Sequence, residues 1–300
     1  LGSGPQVATP LGVAFRLKPK ESARKGLRRV LRQQIDAALA GLKENRPPGT
    51  ALHPVRKHIK KARAVIALVD RDLHVGKVRA RLRHAGRLLS PMRDADATTE
   101  EAQALCASRR AFSWKSYRAL HQVLGVRKKR ARESAKRHHA VALAKDALTR
   151  ARRSIDKWPW TDVKRSQMIA AIQRSYKRAR RGMSRAKAAD DAATFHEWRK
   201  RVKAVWYALR LLEPIVPHLR RSIGQLEQVE TLLGHDHNLF VLSKRAQDAL
   251  GRVPNAERLL TAAMRRQARL RRMALRTGAA LFKERPGAFG ERLRTACPAT

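Results

Sequence analysis

Acidic residues are scarce in this chain: 24 Asp and Glu stand against 68 Lys and Arg, a formal net charge of +44 over 300 residues. Such an excess repels itself on folding, so it implies a polyanionic partner: DNA, RNA, an acidic membrane or an inorganic phosphate polymer. Aromatic residues make up only 5 %, which argues against rows of base-stacking platforms. The two cysteines, Cys106 and Cys297, are far apart and form no CxxC pair. They supply neither a disulfide framework nor a zinc knuckle, and they suit a reducing compartment. No apolar run approaches the about 18 residues needed to cross a bilayer. The opening Leu1-Gly2-Ser3-Gly4-Pro5 lacks the charged and apolar regions of a secretory signal. Alternating β-branched segments between turns are also missing, so strands are not expected.

What remains is helical. Hydrophobic residues reach 43 %, enough for a real core despite the charge. Residues 1–20 read as a tail. From Glu21 an amphipathic pattern carries Leu27, Val30, Leu31, Ile35, Ala38 and Leu42 on one stripe, and Arg46-Pro47-Pro48-Gly49 ends it. Further helices are expected over about 53–70, 75–89, 98–124 and 127–157, with a break at Ser90-Pro91. Trp158-Pro159-Trp160 punctuates the centre. Helices then follow over about 162–188, 193–213 (started by Asp190-Asp191), up to 233, 237–250 and 255–283, with a break at Gly234 and a tail over 286–300.

One phrase occurs twice. His53-Pro54-Val55-Arg56-Lys57-His58-Ile59-Lys60 returns 143 residues later as His196-Glu197-Trp198-Arg199-Lys200-Arg201-Val202-Lys203. At about 100° per residue, His53, Arg56, Lys57 and Lys60 share one helix face, and so do His196, Arg199, Lys200, Lys203 and Tyr207. Val55, Ile59, Ala62, Ile66 and Val69 take the opposite face of the first copy. Trp198, Val202, Val205, Leu209 and Leu212 take it in the second. Both helices are therefore expected to dock through one face and display a cationic stripe on the other, widened in the first copy by Lys61 and Arg63. Arg offers a planar fork of donors and Lys a compact charge, the chemistry that phosphate oxygens accept. A second echo lies downstream: Leu89-Ser90-Pro91-Met92-Arg93-Asp94 and Leu233-Gly234-His235-Asp236-His237-Asn238, each read as a polar cap at a helix break.

These motifs resemble the CHAD family, the conserved histidine α-helical domain. The resemblance rests on the two H-x-x-R-K-x-[IV]-K helices and the L-x-x-x-R-D-like turn after each, and it extends over nearly all of residues 21–283. It implies an all-α fold of two pseudo-symmetric four-helix bundles, here about 21–157 and 162–283 within a domain of 21–285, around a basic central groove or pore. It also implies a polyphosphate-binding module. Its binding residues would be His53, Arg56, Lys57, Lys60, His196, Arg199, Lys200 and Lys203. From the first helix of each half it adds Lys25, Arg28 and Arg32, and Tyr176, Lys177, Arg180 and Arg181. Two departures stand out: His237-Asn238 replaces the usual polar–acidic pair, and no E-x-E-x-K strand of a triphosphate-tunnel partner domain is present.

Catalysis is not expected. Phosphoanhydride hydrolysis calls for a metal or a positioned nucleophile, and the carboxylates here are scattered. Gly234-His235-Asp236-His237 is the nearest thing to a metal motif, but an HD-type phosphohydrolase would need further His and Asp on nearby helices, so it reads as a polar turn after a helix; His138-His139 sits in a basic run. No metal or cofactor is expected. Inorganic polyphosphate is the expected partner. The alternative is a basic helical protein that holds nucleic acid non-specifically and with strong salt dependence, although no helix-turn-helix, zinc finger or RNP motif appears. A metal-dependent phosphohydrolase is the least favoured reading. Oligomeric state stays open, since internal duplication already supplies the symmetry that other chains obtain by dimerising. The expected location is cytoplasmic, on polyphosphate granules, or nuclear in a eukaryote, where Arg127-Lys128-Lys129-Arg130 could serve import.

Overall fold

The computed structural model describes residues 15–42, 52–106, 114–248, 251 and 253–297. Among them are eleven α-helices and no strand: α1 (Ala23–Gly41), α2 (Leu52–Leu68), α3 (Gly76–Leu88), α4 (Ser90–Cys106), α5 (Trp114–Arg137), α6 (Ala140–Asp156), α7 (Arg165–Ala189), α8 (Ala192–Leu212), α9 (Arg220–Gln247), α10 (Ala256–Leu281) and α11 (Pro286–Ala296). The all-α expectation holds.

The helices pack where their apolar stripes dictate. In the first half, α1 lies on α2, α2 on α3, α3 on α6 and α6 back on α1, a closed four-helix arrangement. In the second half, α7 packs on α8, α8 on α9 and α9 on α10. The halves are not independent, because α2 also packs on α8 and a single core runs from Leu27 through Leu148 and Trp198 to Leu293. The pair α4–α5 breaks the simple division. It belongs to the first half by sequence, yet Leu105, Leu120 and Leu124 share a smaller apolar cluster with Leu239, Leu242 and Leu259 of α9 and α10.

Several expected boundaries move. The segment expected as helix over 98–124 begins earlier, with α4 starting at Ser90 directly after α3. The stretch 127–157 is split at His139, which takes a left-handed conformation (φ 48°) between α5 and α6; His is among the non-glycine residues that tolerate it. Gly234 does not break a helix: α9 runs through it for 28 residues. The tails are partly structured as well. Phe15 and Leu17 are buried, and Leu17 N–H donates to the Leu211 carbonyl at 2.9 Å. After Pro286, α11 docks Phe289 and Leu293 onto α7. The Asp190-Asp191 start is as expected: Asp190 ends α7 in a left-handed turn (φ 43°), and the Asp191 carboxylate caps α8 by accepting from Thr194 N–H at 2.8 Å. Arg46–Gly49 and Cys106's side chain lie outside the described residues.

Candidate functional site

The repeated phrase sits on α2 and α8, which face each other. Their apolar faces are buried as the helical wheel requires: Val55, Ile59, Ala62, Ile66 and Val69 on one, Trp198, Val202, Val205, Leu209 and Leu212 on the other. The packing of α2 on α8 then brings the two cationic stripes into one electrostatic field. Lys60 lies in the field of Lys203, Arg56 and Arg199. Solvent still reaches it, but the surrounding protein desolvates its ammonium. That desolvation, followed by repulsion from the three cations, pushes its pKa down to about 7. Lys203 is also lowered, first by desolvation, with Glu230 opposing and Arg199 adding to the shift.

Each stripe is braced from behind by the downstream echo. In the first copy Arg56 reaches α4, donating to the Ser90 carbonyl (3.3 Å), Ser90 Oγ (3.1 Å) and Asp94 Oδ1 (3.2 Å). Ser90 Oγ in turn donates to Asp94 Oδ2 at 2.7 Å. His53 Nδ1 accepts from Arg93 Nε at 2.9 Å, and Arg93 also grips Glu100. In the second copy Arg199 lies along α9, its Nε 3.1 Å from Glu230 Oε1, and Lys203 pairs with the same carboxylate. A Cβ at position 234 would stand 3.1 Å from Arg199 Nη2, so glycine lets the guanidinium lie close over the helix, where a side chain would make it shift by a few tenths of an ångström. His196 stacks on His237 with ring centroids 3.9 Å apart. Burial, then His196 and Arg199, hold His237 down at about 4. Burial opposes the Glu230 charge, yet Lys203 and Arg199 outweigh it and keep the carboxyl below its usual range.

The other sequence-predicted residues divide. Lys57 and Lys200 are exposed on their helices, the latter paired with Glu197. Lys61 does not widen the stripe: it is 8 % exposed, lies 5.3 Å from the centroid of the Phe15 ring, and desolvation takes it to about 8. Arg63 turns toward Arg79, Arg83 and Arg87 of α3. Arg28 and Arg32 engage Asp156 at the end of α6 (3.9 and 3.3 Å), on the seam between α1 and α6, and Lys25 is exposed on α1. Tyr176 is a core residue. Its hydroxyl donates to the Leu281 and Glu284 carbonyls at 3.1 Å, its ring stacks on Phe289 at 4.0 Å, and burial pushes it to about 12. Arg180 Nε donates to the Phe282 carbonyl at 2.9 Å, a helix-end contact, while Lys177 and Arg181 are exposed on α7. Tyr207, placed on the polar face by the wheel, is buried edge-on against Phe15. Glu230 escaped the sequence reading altogether.

The residues 234–237 do not converge on one point. On a continuous helix, successive side chains diverge by about 100°. His235 Nδ1 meets Glu101 Oε2 at 2.9 Å, Asp236 accepts from Arg271 Nε at 2.9 Å, and His237 faces His196. Among the described residues no group of three or more His, Cys, Asp or Glu is placed to hold a metal ion.

A protein-family model described as the CHAD domain matches residues 23–247. The chain belongs to the CHAD family. The match begins with α1 and ends with α9, and the similarity of fold extends beyond it. The crystal structure of the CHAD domain from the plant Ricinus communis superposes with a TM-score of 0.62 at 19 % identity, covering 98 % of this chain and 96 % of that one. PptA from Streptomyces chartreusis gives 0.64 at 15 % identity, covering 88 % of this chain and 100 % of its own. At these identities the likeness speaks for the CHAD fold alone. No curated protein matches the chain.

Proposed function

We propose that this CHAD chain binds inorganic polyphosphate along the paired cationic stripes of α2 and α8, and that it does so without catalysis. The observation that carries the reading is the setting of Lys60, whose ammonium is desolvated by the surrounding protein and repelled by Lys203, Arg56 and Arg199, so that its pKa falls to about 7. Cations held this close in the free protein need an anion of matching density, and a linear phosphate polymer carries charge at every unit. Repulsion that the ligand relieves becomes binding energy.

Two further observations favour a phosphate polymer over nucleic acid. Phe195, Trp198, Trp206 and Tyr207, the large aromatic side chains of α8, are all at most 6 % exposed, so they offer no face to a base. The donors are almost wholly Lys and Arg, which read charge and not base edges. His53 Nδ1 already accepts from Arg93, which occupies the lone pair a general base would use. No helix among the described residues is long and apolar enough to cross a membrane. Residence in the cytoplasm, on polyphosphate granules, goes with the proposal.

Competition at fixed salt tests it. Long-chain polyphosphate should displace duplex DNA and RNA at matched phosphate concentration. Equal retention of nucleic acid would favour non-specific nucleic-acid binding, and steady release of orthophosphate from bound polymer would overturn the non-catalytic part.

A further inference from the structure

Arg63 points the way to a second basic patch. It follows Arg56 and Lys60 along one side of α2, at steps of four and three residues. The helix that packs beside α2 there is α3. Their register is fixed near Gly86, where a Cβ would lie 3.8 Å from Ile59 Cγ2. On α3 the residues Val78, Leu82, Ala85 and Leu89 are buried or close the helix against the core. That phase leaves Arg79, Arg83 and Arg87, spaced by four, as a row along the flank. Arg83 and Arg87 are exposed, as is Arg63. Arg79 is balanced by Asp70, but among the described residues no carboxylate pairs with Arg63, Arg83 or Arg87.

We infer that long polyphosphate held on the α2–α8 stripes runs past Arg63 onto this arginine row, which acts as a second phosphate-holding patch and makes affinity depend on chain length. The inference rests on the polyphosphate reading of the first site. Burial, together with repulsion from Arg83, Arg79 and Arg87, depresses the Arg63 pKa, so the four guanidiniums share one field. Arg56 to Arg63 covers about 10 Å of helix and Arg79 to Arg87 about 12 Å. Tripolyphosphate is too short to occupy both patches. A long polymer can occupy both, and the second contact then forms at high effective concentration. Guanidinium forks favour bidentate contact with successive phosphates.

The test compares two ligands on two proteins. In the variant carrying Arg63→Ala, Arg83→Ala and Arg87→Ala, affinity for long-chain polyphosphate should fall on the order of tenfold, the loss of a few charge-assisted contacts. Affinity for tripolyphosphate should stay as in the parent. Replacing the same three residues by Lys, which keeps the charges, should recover most of the long-chain affinity and shows that the alanine variant lost cations and not its fold. Unchanged long-chain affinity, or a parallel fall for both ligands, overturns the arginine row alone. A parent protein that binds neither ligand overturns the first site and the row together.

Discussion

The two copies of the repeated phrase present the same cations and differ in what neutralises them. On α8, Arg199 and Lys203 share the half-buried Glu230 carboxylate, and Lys200 pairs with Glu197. On α2, Arg56 alone forms an ion pair, with the more exposed Asp94; among the described residues Lys57 and Lys60 form none, and Glu230 reaches Lys60 only as a weak opposing charge. The asymmetry comes from outside the phrase. Contacts of the first copy recur in the second when downstream residues are shifted by 144: Arg93 with His53 against His237 with His196, Ser90 with Arg56 against Gly234 with Arg199. By that shift the counterpart of Glu230 is Gly86, which has no carboxylate. The phrase sets where positive charge stands. Residues that are not repeated decide how much of it is free to meet a ligand. The α2 copy is open, and the α8 copy carries its own anion.

Charge reversal should break this comparison most strongly. Replacing Lys57 and Lys60 with Glu should lower polyphosphate affinity by about a hundredfold, roughly tenfold or 1.4 kcal/mol for each cation. The same reversal at Arg265 and Arg269, exposed on α10, should cost only a few-fold in the same binding assay. Equal losses would mean that net charge and not placement governs binding. Glu230→Gln should act in the opposite direction. Freed of its anion, the α8 stripe should gain up to about tenfold in affinity, while thermal or denaturant unfolding shows the free protein weakened by about 1–3 kcal/mol because Arg199 and Lys203 lose their partner. No gain in affinity would show that Glu230 does not compete with the ligand.

The smallest expected effect is the pH dependence of Lys60. Its pKa in the free protein is depressed to about 7, and a bound polyanion raises it. Below about pH 7 the side chain is charged with or without ligand. Above it, binding must recruit a proton, so affinity should weaken between about pH 7 and 9. Lys60→Arg, charged throughout this range, should flatten the titration profile. An unchanged slope would assign the effect to other groups.

Much of this was legible in the sequence, for definite reasons. The stripes could be read because a helix imposes a fixed angle per residue, and the apolar positions of both copies are buried as that angle requires. What periodicity could not give was which helices meet. The resemblance put Tyr176 and Arg180 among the binding residues, but α11 and the end of α10 cover Tyr176, and Arg180, though exposed, spends its Nε on the Phe282 carbonyl; a segment read as a tail gave no hint of that. Phe15 covers Lys61 in the same way. Gly234 was misread through its own chemistry: glycine weakens a helix interior, and here α9 runs through it with Arg199 lying close above. Once α9 is taken as continuous, Glu230 and Gly234 fall one turn apart on the same face, which is the signal that could have revealed the buried carboxylate.

The claim at the centre of this account is that two stripes from distant parts of the chain make one site. Calorimetric titration with tripolyphosphate tests it directly. One binding event per chain is expected, weakened by Lys60→Glu on α2 and equally visible as a weakening of that same event by Lys200→Glu on α8. Two events per chain, each abolished by one of these variants and untouched by the other, would contradict it.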